Sequence, residues 1–339
     1  MRGVGSNERT RPGLARARRA RIAGVTLGDR AARFMNEIAR ARTRGEAVVM
    51  GVCNVTPDSF SDGGAYLAPT DARQRVDTLL AEGAVVIDVG GESTRPGAPR
   101  VSAAEQIARI GAVVAYAKDK CVVSVDTTSA EVAEHVLGLG AHVINDVSLL
   151  SEPALAAVVA SFGAALVLSH ARGFQKDMAG FGSWPEADYD DIVRDVLADY
   201  ARKRDQAVAL GVARDAFVMD PGLGFSKSAR HSLELLRRTS ELVAHAGAPV
   251  LIGASRKSFL THAIGEAPPN ERLGASIAAA VYAQARGAAL VRVHDVRDTR
   301  QALLLSSRLL DTSLVASTAS LPGEPDMAPR VEAREGGRC

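Results

Sequence analysis

A short strand-like run followed by a longer amphipathic segment recurs eight times in this chain, at a nearly regular interval. The short runs are apolar and rich in β-branched residues, which is typical of parallel strands buried on both faces. Strands are predicted at residues 47–52, 84–87, 121–125, 142–144, 165–168, 216–219, 249–252 and 289–291. The clearest helices between them are predicted at residues 70–82, 103–117, 188–209 and 272–286.

Eight such units predict an α/β fold in which the strands close into a (β/α)8 TIM barrel. They occupy about 265 residues, and about 250 is typical of this fold. The main alternative is an open, doubly wound sheet. That fold commonly carries G-x-G-x-x-G after its first strand, and no such motif is present here. The barrel is therefore the favoured architecture, as a single domain over residues 46–311.

Each predicted strand ends in a polar or ionisable residue. In chain order these residues are Asn54, Asp88, Asp126, Asn145, His170, Asp220, the run Ser255-Arg256-Lys257, and Arg292 with His294. The carboxyl ends of barrel strands form one rim, where barrel enzymes have their active sites. An aspartate there could instead cap the following helix, and this alternative stays open for Asp126. Lys257 and Arg292 would gain nothing at a helix N-terminus, so the rim is predicted to bind a ligand.

The predicted rim is divided by charge. Strands two to six contribute carboxylates and amides, whereas strands seven and eight contribute cations. Phosphate is commonly held beside strands seven and eight of such barrels, and carboxylates accept the N–H donors of a heterocycle such as an aminopyrimidinone. A two-part ligand is therefore expected. A metal hydrolase would need His-x-His at the first strand. This strand ends in Cys53-Asn54 instead, so the sequence argues against a metal hydrolase.

The segments that flank the barrel differ from it in composition. Residues 1–45 contain twelve arginines, no lysine and three acidic residues, and are predicted to form a flexible arm with a possible helix over residues 30–44. A transit peptide and an RNA- or lipid-contacting arm stay open beside simple arginine bias. Residues 312–339 are rich in Ser and Thr, then in Pro, Gly and charge, and are predicted to be disordered.

Overall composition narrows the classes of protein further. The formal net charge is +2, so outside the basic arm the chain is mildly acidic, and nucleic acid is an improbable partner. No apolar run approaches the ~18 residues of a membrane span, so no membrane association is expected. The three cysteines are widely spaced, which indicates a reducing compartment and predicts a cytoplasmic protein.

Six sequence blocks resemble the dihydropteroate synthase family in order and spacing. They read MGVCNVTPDSFSDGG, IDVGGESTRPGA, SVDTTSAEVAEHVLGLGAHVINDVS, DPGLGF, GASRKSF and RVHDV. The resemblance covers about residues 48–310 and implies a TIM barrel, a homodimer and Mg²⁺ as cofactor. It also implies a sulfonamide-sensitive transferase of folate biosynthesis. Such enzymes condense (7,8-dihydropterin-6-yl)methyl diphosphate with p-aminobenzoate to give 7,8-dihydropteroate and diphosphate.

The resemblance implies a role for individual residues as well. Asn54 is expected to hold Mg²⁺ against the diphosphate. The residues expected to contact the pterin diphosphate are Thr94, Asp126, Asn145, Asp220, Lys257, Arg292 and His294. The residues expected to line the p-aminobenzoate pocket are Pro57, Arg95 and Pro96 from two long loops, with Phe225 and Ser255. Ser255 is expected to open the helix after strand seven. The expected catalytic residues are Asp58, Arg292 and His294.

One departure from the family pattern occurs at strand five. Ser169-His170-Ala171 stands where Met-His-Met is usual, so the second methionine, which packs against the pterin, is replaced by Ala171. Residues 173–185, with Trp184, could fill the space. Two alternatives stay open: a catalytically weak pterin-binding paralogue, and a methyltetrahydrofolate-binding methyltransferase barrel, which would have no use for cations that hold a diphosphate.

Overall fold

Eight parallel strands form the centre of the structure. It is a computed structural model, and it describes residues 26–56, 69–93, 100–173, 184–185 and 188–311. The strands are β1 (Val48–Asn54), β2 (Val86–Gly90), β3 (Val122–Asp126), β4 (Val143–Asp146), β5 (Ala165–Ser169), β6 (Phe217–Asp220), β7 (Leu251–Ile252) and β8 (Leu290–Val293). They pair in the order β6-β5-β4-β3-β2-β1-β8-β7. A parallel bridge between Met219 and Val250 brings β6 and β7 together. The predicted TIM barrel is confirmed.

Helices alternate with these strands and pack around them. They are α1 (Asp29–Arg42), α2 (Pro69–Ala81), α3 (Ala103–Ala117), α4 (Ala130–Leu139), α5 (Ala154–Ser161), α6 (Ile192–Ala209), α7 (Ala229–Arg237), α8 (Thr239–His245), α9 (Thr261–Ile264), α10 (Leu273–Ala285) and α11 (Val296–Leu310). Short 3₁₀ turns lie at Ser258–Leu260 and Pro269–Glu271. The four helices predicted from the periodicity are all present, with ends shifted by at most a few residues.

Seven of the eight strands extend slightly further towards their carboxyl ends than the sequence predicts, and β7 ends where predicted. Asn54, Asp126 and Asp220 are themselves the last residues of β1, β3 and β6. Parallel pairing continues to these positions, since Asn54 aligns with Gly90, and Gly90 with Asp126. The side chains of Asn54, Asp126 and Asp220 are therefore attached to paired strands rather than to loops, which fixes their relative positions.

Helix α1 packs against the barrel and corrects the prediction that residues 1–45 form a flexible arm. Its apolar face places Phe34 and Ile38, exposed by 0% and 2%, in the main hydrophobic core. An amphipathic helix of this kind is stabilised by burial of that face. The flexibility predicted for the rest of the arm, and for residues 312–339, lies outside the described residues and stays a prediction.

Two arginines of α1 attach it to the end of the barrel opposite the rim. Arg30 donates to the backbone carbonyl of Ala141 at 3.1 Å, and Arg33 donates to that of Lys118 at 3.2 Å. Arg33 also lies 3.0 Å from Nε2 of His142. Because these partners precede β3 and β4, α1 covers the amino-terminal end of the barrel.

Two further observations concern membrane-spanning helices and the cysteine thiols. Among the residues that the structure describes, no helix is both long and apolar enough to cross a membrane. The thiols of Cys53 and Cys121 are buried and free. Burial raises the pKa of each thiol to about 11, so both side chains act as small core groups.

Candidate active site

Four side chains from four strands, three of them buried and the fourth partly exposed, form a connected polar network at the carboxyl ends of the barrel. Arg292 donates from Nε to Oδ2 of Asp88 at 2.6 Å and from Nη2 to Oδ2 of Asp126 at 3.0 Å. Asn145 donates from Nδ2 to the same Asp88 oxygen at 3.1 Å. Asp88 is 0% exposed and Asp126 6%. One guanidinium therefore lies between two carboxylates that are almost removed from water.

This network has more hydrogen-bond acceptors than donors. Burial raises the pKa of Asp126 to about 7, although the neighbouring Arg292 opposes the shift. Burial lowers the pKa of Arg292, but the carboxylates of Asp88 and Asp126 outweigh it, and the pKa is raised overall. Oδ1 of Asp88 and Oδ1 of Asn145 accept no hydrogen bond from the described residues. A ligand rich in N–H donors would satisfy such a site.

The alternative that Asp126 caps the next helix is excluded. The N-cap of α4 is Ser129, whose hydroxyl oxygen accepts the backbone N–H of Val132 at 3.4 Å. The backbone N–H of Ser129 in turn donates to the Thr127 hydroxyl at 3.2 Å. The first turn of α4 thus has its own cap, and the Asp126 carboxylate faces Arg292.

Lys257 and Phe225 lie side by side on another part of the rim. The ammonium of Lys257 donates to the backbone carbonyl of Leu223 at 2.5 Å and lies 4.4 Å from the centroid of the Phe225 ring. Burial lowers the pKa of Lys257 to about 8, with the Asp220 carboxylate opposing the shift. The pair offers a cation and an aromatic face to the same space.

Gly253 brings Asp220 close to Arg292. A Cβ atom at position 253 would stand 3.8 Å from Cβ of Arg292 and 3.9 Å from Oδ2 of Asp220. Oδ1 of Asp220 accepts the backbone N–H of Gly222 at 2.7 Å, which fixes the carboxylate and leaves Oδ2 towards Gly253. The structure therefore brings together Asp126, Asn145, Asp220, Lys257 and Arg292.

His294 and Ser255 form a hydrogen-bonded pair beside Arg292. The backbone N–H of His294 donates to the Ser255 hydroxyl oxygen at 3.2 Å, and that oxygen lies 3.1 Å from Nδ1 of the ring. The hydroxyl hydrogen then goes to Nδ1, which leaves Nε2 as an N–H donor. Burial, together with the positive charges of Arg292 and Arg256, lowers the pKa of His294 to about 3. The ring is thus a neutral donor suited to an anion.

The prediction that Ser255 opens the helix after strand seven is wrong. The helical segment begins as a 3₁₀ turn at Ser258, with Lys257 as the preceding residue. Arg256, which follows Ser255, has a backbone in the left-handed region, with φ of 61°. Its guanidinium forms two hydrogen bonds with Asp295 at 3.0 and 2.5 Å. The role of Ser255 in binding p-aminobenzoate stays a prediction.

Several predicted site residues lie outside the part of the chain that the structure describes. They are Pro57, Asp58, Thr94, Arg95 and Pro96. They follow in sequence the ends of β1 at Asn54 and of β2 at Gly90. Their predicted roles stay predictions.

Asn54 has the chemistry expected of a magnesium ligand that shares its ion with a substrate. Its Oδ1 would stand 3.2 Å from a Cβ at position 90, so glycine at that position leaves the amide oxygen uncrowded. The described residues include no cluster of three or more His, Cys, Asp or Glu able to hold a metal. Mg²⁺ often binds to one or two protein oxygens and completes its shell with water and substrate phosphate. The residues present fit that kind of site.

Ala171, where the sequence departs from its family, lies in a small apolar cluster. It packs with Val147 and Phe225, and Trp184 packs against this cluster. A Cβ at Gly173 would stand 3.5 Å from the Trp184 ring, which shows how closely the indole approaches this backbone. Trp184 thus lies against the cluster that contains Ala171, whereas residues 174–183 lie outside the described residues, and the expectation that this segment fills the space stays a prediction.

Two further residues organise this site: sequence reasoning placed Asp88 on the rim without assigning it a contact, and it gave no role to Lys227. Asp88 accepts hydrogen bonds from both Arg292 and Asn145, and its place at a strand end was the available signal. Lys227 lies two residues after the DPGLGF block, and its side chain is only 1% exposed. Nothing in the sequence distinguishes it from a solvated loop lysine.

The fold and the rim define a barrel that binds a donor-rich heterocycle beside an anionic group. Consistent with this, the family described as pterin binding enzymes matches residues 50–294. The dihydropteroate synthase of Mycobacterium leprae is 46% identical over 262 residues, covering 75% of this chain and 90% of that protein. The Escherichia coli dihydropteroate synthase is 39% identical over 270 residues, covering 79% and 92% respectively.

Solved structures agree with these relatives. Yersinia pestis dihydropteroate synthase, in complex with a sulfonamide drug, matches with a TM-score of 0.72 and 38% identity, covering 79% of this chain and 95% of that one. The Xanthomonas albilineans enzyme with 4-aminobenzoic acid also gives 0.72, at 36% identity and 79% and 94% coverage. The chain therefore belongs to the pterin-binding enzymes. Within that family, its relatives place it among the dihydropteroate synthases.

Proposed function

We propose that this chain is the transferase that condenses (7,8-dihydropterin-6-yl)methyl diphosphate with p-aminobenzoate to give 7,8-dihydropteroate and diphosphate. The observation that carries the proposal is the network in which Arg292 joins Asp88 and Asp126 while Asn145 bonds Asp88. It sets carboxylate and amide oxygens beside cations on one rigid rim, as a pterin that bears a diphosphate requires.

The pterin ring is held by the acceptor half of the rim. Asp126 and Asp220 accept the N–H donors of its aminopyrimidinone edge, because a carboxylate can take two parallel hydrogen bonds. Asn145 offers a free Oδ1 as well as its amide hydrogens, and so fixes the orientation of the ring. Lys257 donates to a ring acceptor. All four residues are attached to strands or to the segment after β7.

The diphosphate is held by the cationic half. The C–O bond between the pterin methylene carbon and the diphosphate breaks, and its electron pair leaves with the diphosphate. Arg292, Nε2–H of His294 and the predicted contact Thr94 stabilise the charge that develops on the departing oxygen. The neutral state of His294 makes it a hydrogen-bond donor rather than a general acid.

Mg²⁺ is the proposed cofactor, with Asn54 as the residue that would hold it beside the diphosphate. When bound, the ion supplies further neutralisation of the leaving group. Asp58 is proposed to stabilise the pterin cation that remains after departure.

The second substrate enters on the side of Phe225. We place p-aminobenzoate between Phe225 and the loop residues Pro57, Arg95 and Pro96, with Ser255 near its carboxylate. Its amine nitrogen forms the new C–N bond and then releases one proton to solvent. An aniline is nucleophilic without prior deprotonation, so the site needs no dedicated general base. A sulfonamide that resembles this substrate would occupy the same space.

The test is to follow dihydropteroate formation from pterin diphosphate, Mg²⁺ and radiolabelled p-aminobenzoate. The purified chain should form labelled product, and Asp126→Asn should lose most of that activity because it removes a buried carboxylate. Asp205→Asn is the matched control, since Asp205 is exposed and its ion pair with Arg214 spans 3.4 Å. Pterin binding without product would instead indicate a weak paralogue. Methyltetrahydrofolate binding without product would indicate a methyltransferase barrel.

We further propose that the protein is a cytoplasmic homodimer. The apolar side chains of Leu305, Leu309 and Leu310 on α11 are 61%, 75% and 57% exposed in the single chain, which supports self-association. Light scattering should give twice the mass of one chain. A monomer at assay concentrations would overturn this part of the proposal.

A further inference from the structure

Lys227 is a buried lysine in the loop that follows β6. Its ammonium has a partner for each of its three hydrogens: the backbone carbonyl of Phe225 at 2.8 Å, the backbone carbonyl of His170 at 3.1 Å, and Nδ1 of His170 at 2.9 Å. Burial lowers its pKa well below the usual value, with the Asp220 carboxylate opposing the shift. A buried cation is tolerated only when its hydrogens are satisfied in this way.

His170 extends this contact to the outer helix α6. Because Nδ1 accepts from Lys227, the ring hydrogen is on Nε2, which lies 3.3 Å from Oδ2 of Asp199. Burial and the charge on Lys227 lower the pKa of His170 to about 3, so the ring is neutral. The Asp199 carboxylate also accepts from Arg172 and Arg202 at 3.1 and 3.2 Å. A continuous chain of hydrogen bonds thus joins α6 to the loop after β6.

This loop lies unusually close to the end of β5. Gly222 has φ of 67°, and a Cβ there would stand 2.0 Å from the carbonyl oxygen of His170, so only glycine fits. Ser226 also has a positive φ, 48°. Its hydroxyl accepts from the backbone N–H of Arg172 at 3.1 Å, and its carbonyl accepts from the Tyr189 hydroxyl at 2.8 Å. Positive φ at a non-glycine residue persists only where the surroundings hold it.

The same loop forms one wall of the substrate site. Leu223 supplies the carbonyl that accepts from Lys257, and Phe225 supplies the ring under the Lys257 ammonium. The Lys227 ammonium bonds the backbone of Phe225 itself. A change at Lys227 would therefore act on the aromatic wall and leave Asp126, Asn145 and Arg292 in place.

We propose that Lys227 is a positioning residue for the second substrate. Its hydrogen bond to the carbonyl of Phe225 fixes the position of the aromatic ring against which p-aminobenzoate lies. His170 and Asp199 hold Lys227 in place. This inference rests on the proposed function. Lys227 is 1% exposed and acts through the backbone of Phe225, so its effect falls more on p-aminobenzoate affinity than on pterin binding.

The test compares Lys227→Met with wild type, using the synthase assay and direct titration of pterin diphosphate. Methionine keeps the length of the side chain but removes the three hydrogen bonds that the ammonium donates. We expect the KM for p-aminobenzoate to rise about tenfold, with the pterin Kd within about twofold. The matched control is Lys203→Met, since Lys203 donates to the carbonyl of Leu150 at 3.0 Å away from the Phe225 wall. Its KM for p-aminobenzoate should stay at the wild-type value.

Asp199→Asn tests the same chain of contacts from its far end, at a partly exposed position where folding is less at risk. We expect a smaller rise in the p-aminobenzoate KM, with kcat nearly unchanged. In Lys227→Met, nitrogen-15 shifts of His170 should also report altered hydrogen bonding at Nδ1. Equal loss of pterin and p-aminobenzoate binding, or an unchanged KM in both variants, would overturn the inference. A wild-type protein that forms no dihydropteroate would instead overturn the proposed function.

Discussion

Arg292 is predicted to stabilise the fold as well as to bind diphosphate, and Arg292→Met tests the first role through the free energy of unfolding. The substitution keeps an apolar stem of similar length but leaves the carboxylates of Asp88 and Asp126, 0% and 6% exposed, without their cation. Removing one partner of a buried ion pair typically costs about 3–5 kcal/mol. Arg256→Met is the matched control, because the Arg256 side chain is 37% exposed in its pair with Asp295. Exposed pairs contribute about 0–1 kcal/mol.

The pH dependence gives this prediction its sharpest form. Without Arg292, the pKa of Asp126 should rise above the value of about 7 that burial already produces. A carboxyl with a raised folded-state pKa favours the native state at low pH, and that stability is lost as the pH rises from about 4 through the folded-state pKa. Urea unfolding followed by circular dichroism should therefore show a larger deficit for Arg292→Met at pH 8 than at pH 5.5. Equal stability of the two arginine variants at both pH values would refute the reasoning.

Three further predictions concern parts of the molecule outside that network. Phe34→Ala should destabilise the protein by about 3–5 kcal/mol in urea unfolding, because it opens a cavity beneath α1; an unchanged midpoint would show that α1 does not belong to the core. Burial and the charge on Arg33 lower the pKa of His142 from 6.5 to about 4. The stability that the neutral ring contributes above pH 6.5 is therefore lost as the pH falls through 4. His142→Gln should make the melting temperature depend less on pH in this range. Ala171→Met should cost about 1–3 kcal/mol through overpacking against Trp184; a gain in stability would mean that the space is empty.

Much of the fold was predictable because its determinants are local. The buried runs at β1 to β8 are short and β-branched, and their eightfold recurrence identifies the barrel before any contact is known. The same argument identifies Asp126, Asn145 and Asp220 as rim residues, since a strand end fixes where its last side chain lies. Their hydrogen-bond partners could not be predicted in this way, because Asp88 meets Arg292 across more than two hundred residues of sequence.

The errors share a physical cause. The arginines of residues 1–45 indicated an exposed arm, yet Phe34 and Ile38 are buried against elements far along the chain. Ser255 was assigned to a helix start from its sequence position, but the left-handed φ of Arg256 delays that start to Ser258. Helix α1 itself matches the possible helix predicted over residues 30–44; its packing against the barrel and the backbone dihedral at Arg256 are what the local sequence does not specify.

The central claim is that the rim has an acceptor half for the pterin and a donor half for the diphosphate. Calorimetric titration with 6-hydroxymethylpterin and with its diphosphate tests it most directly, in wild type, Asp126→Asn and His294→Gln. Asp126→Asn should weaken both ligands by about tenfold to a hundredfold, since each uses the same carboxylate. His294→Gln should weaken only the diphosphate. Equal weakening of both ligands in His294→Gln, or unchanged binding of both in Asp126→Asn, would contradict the account.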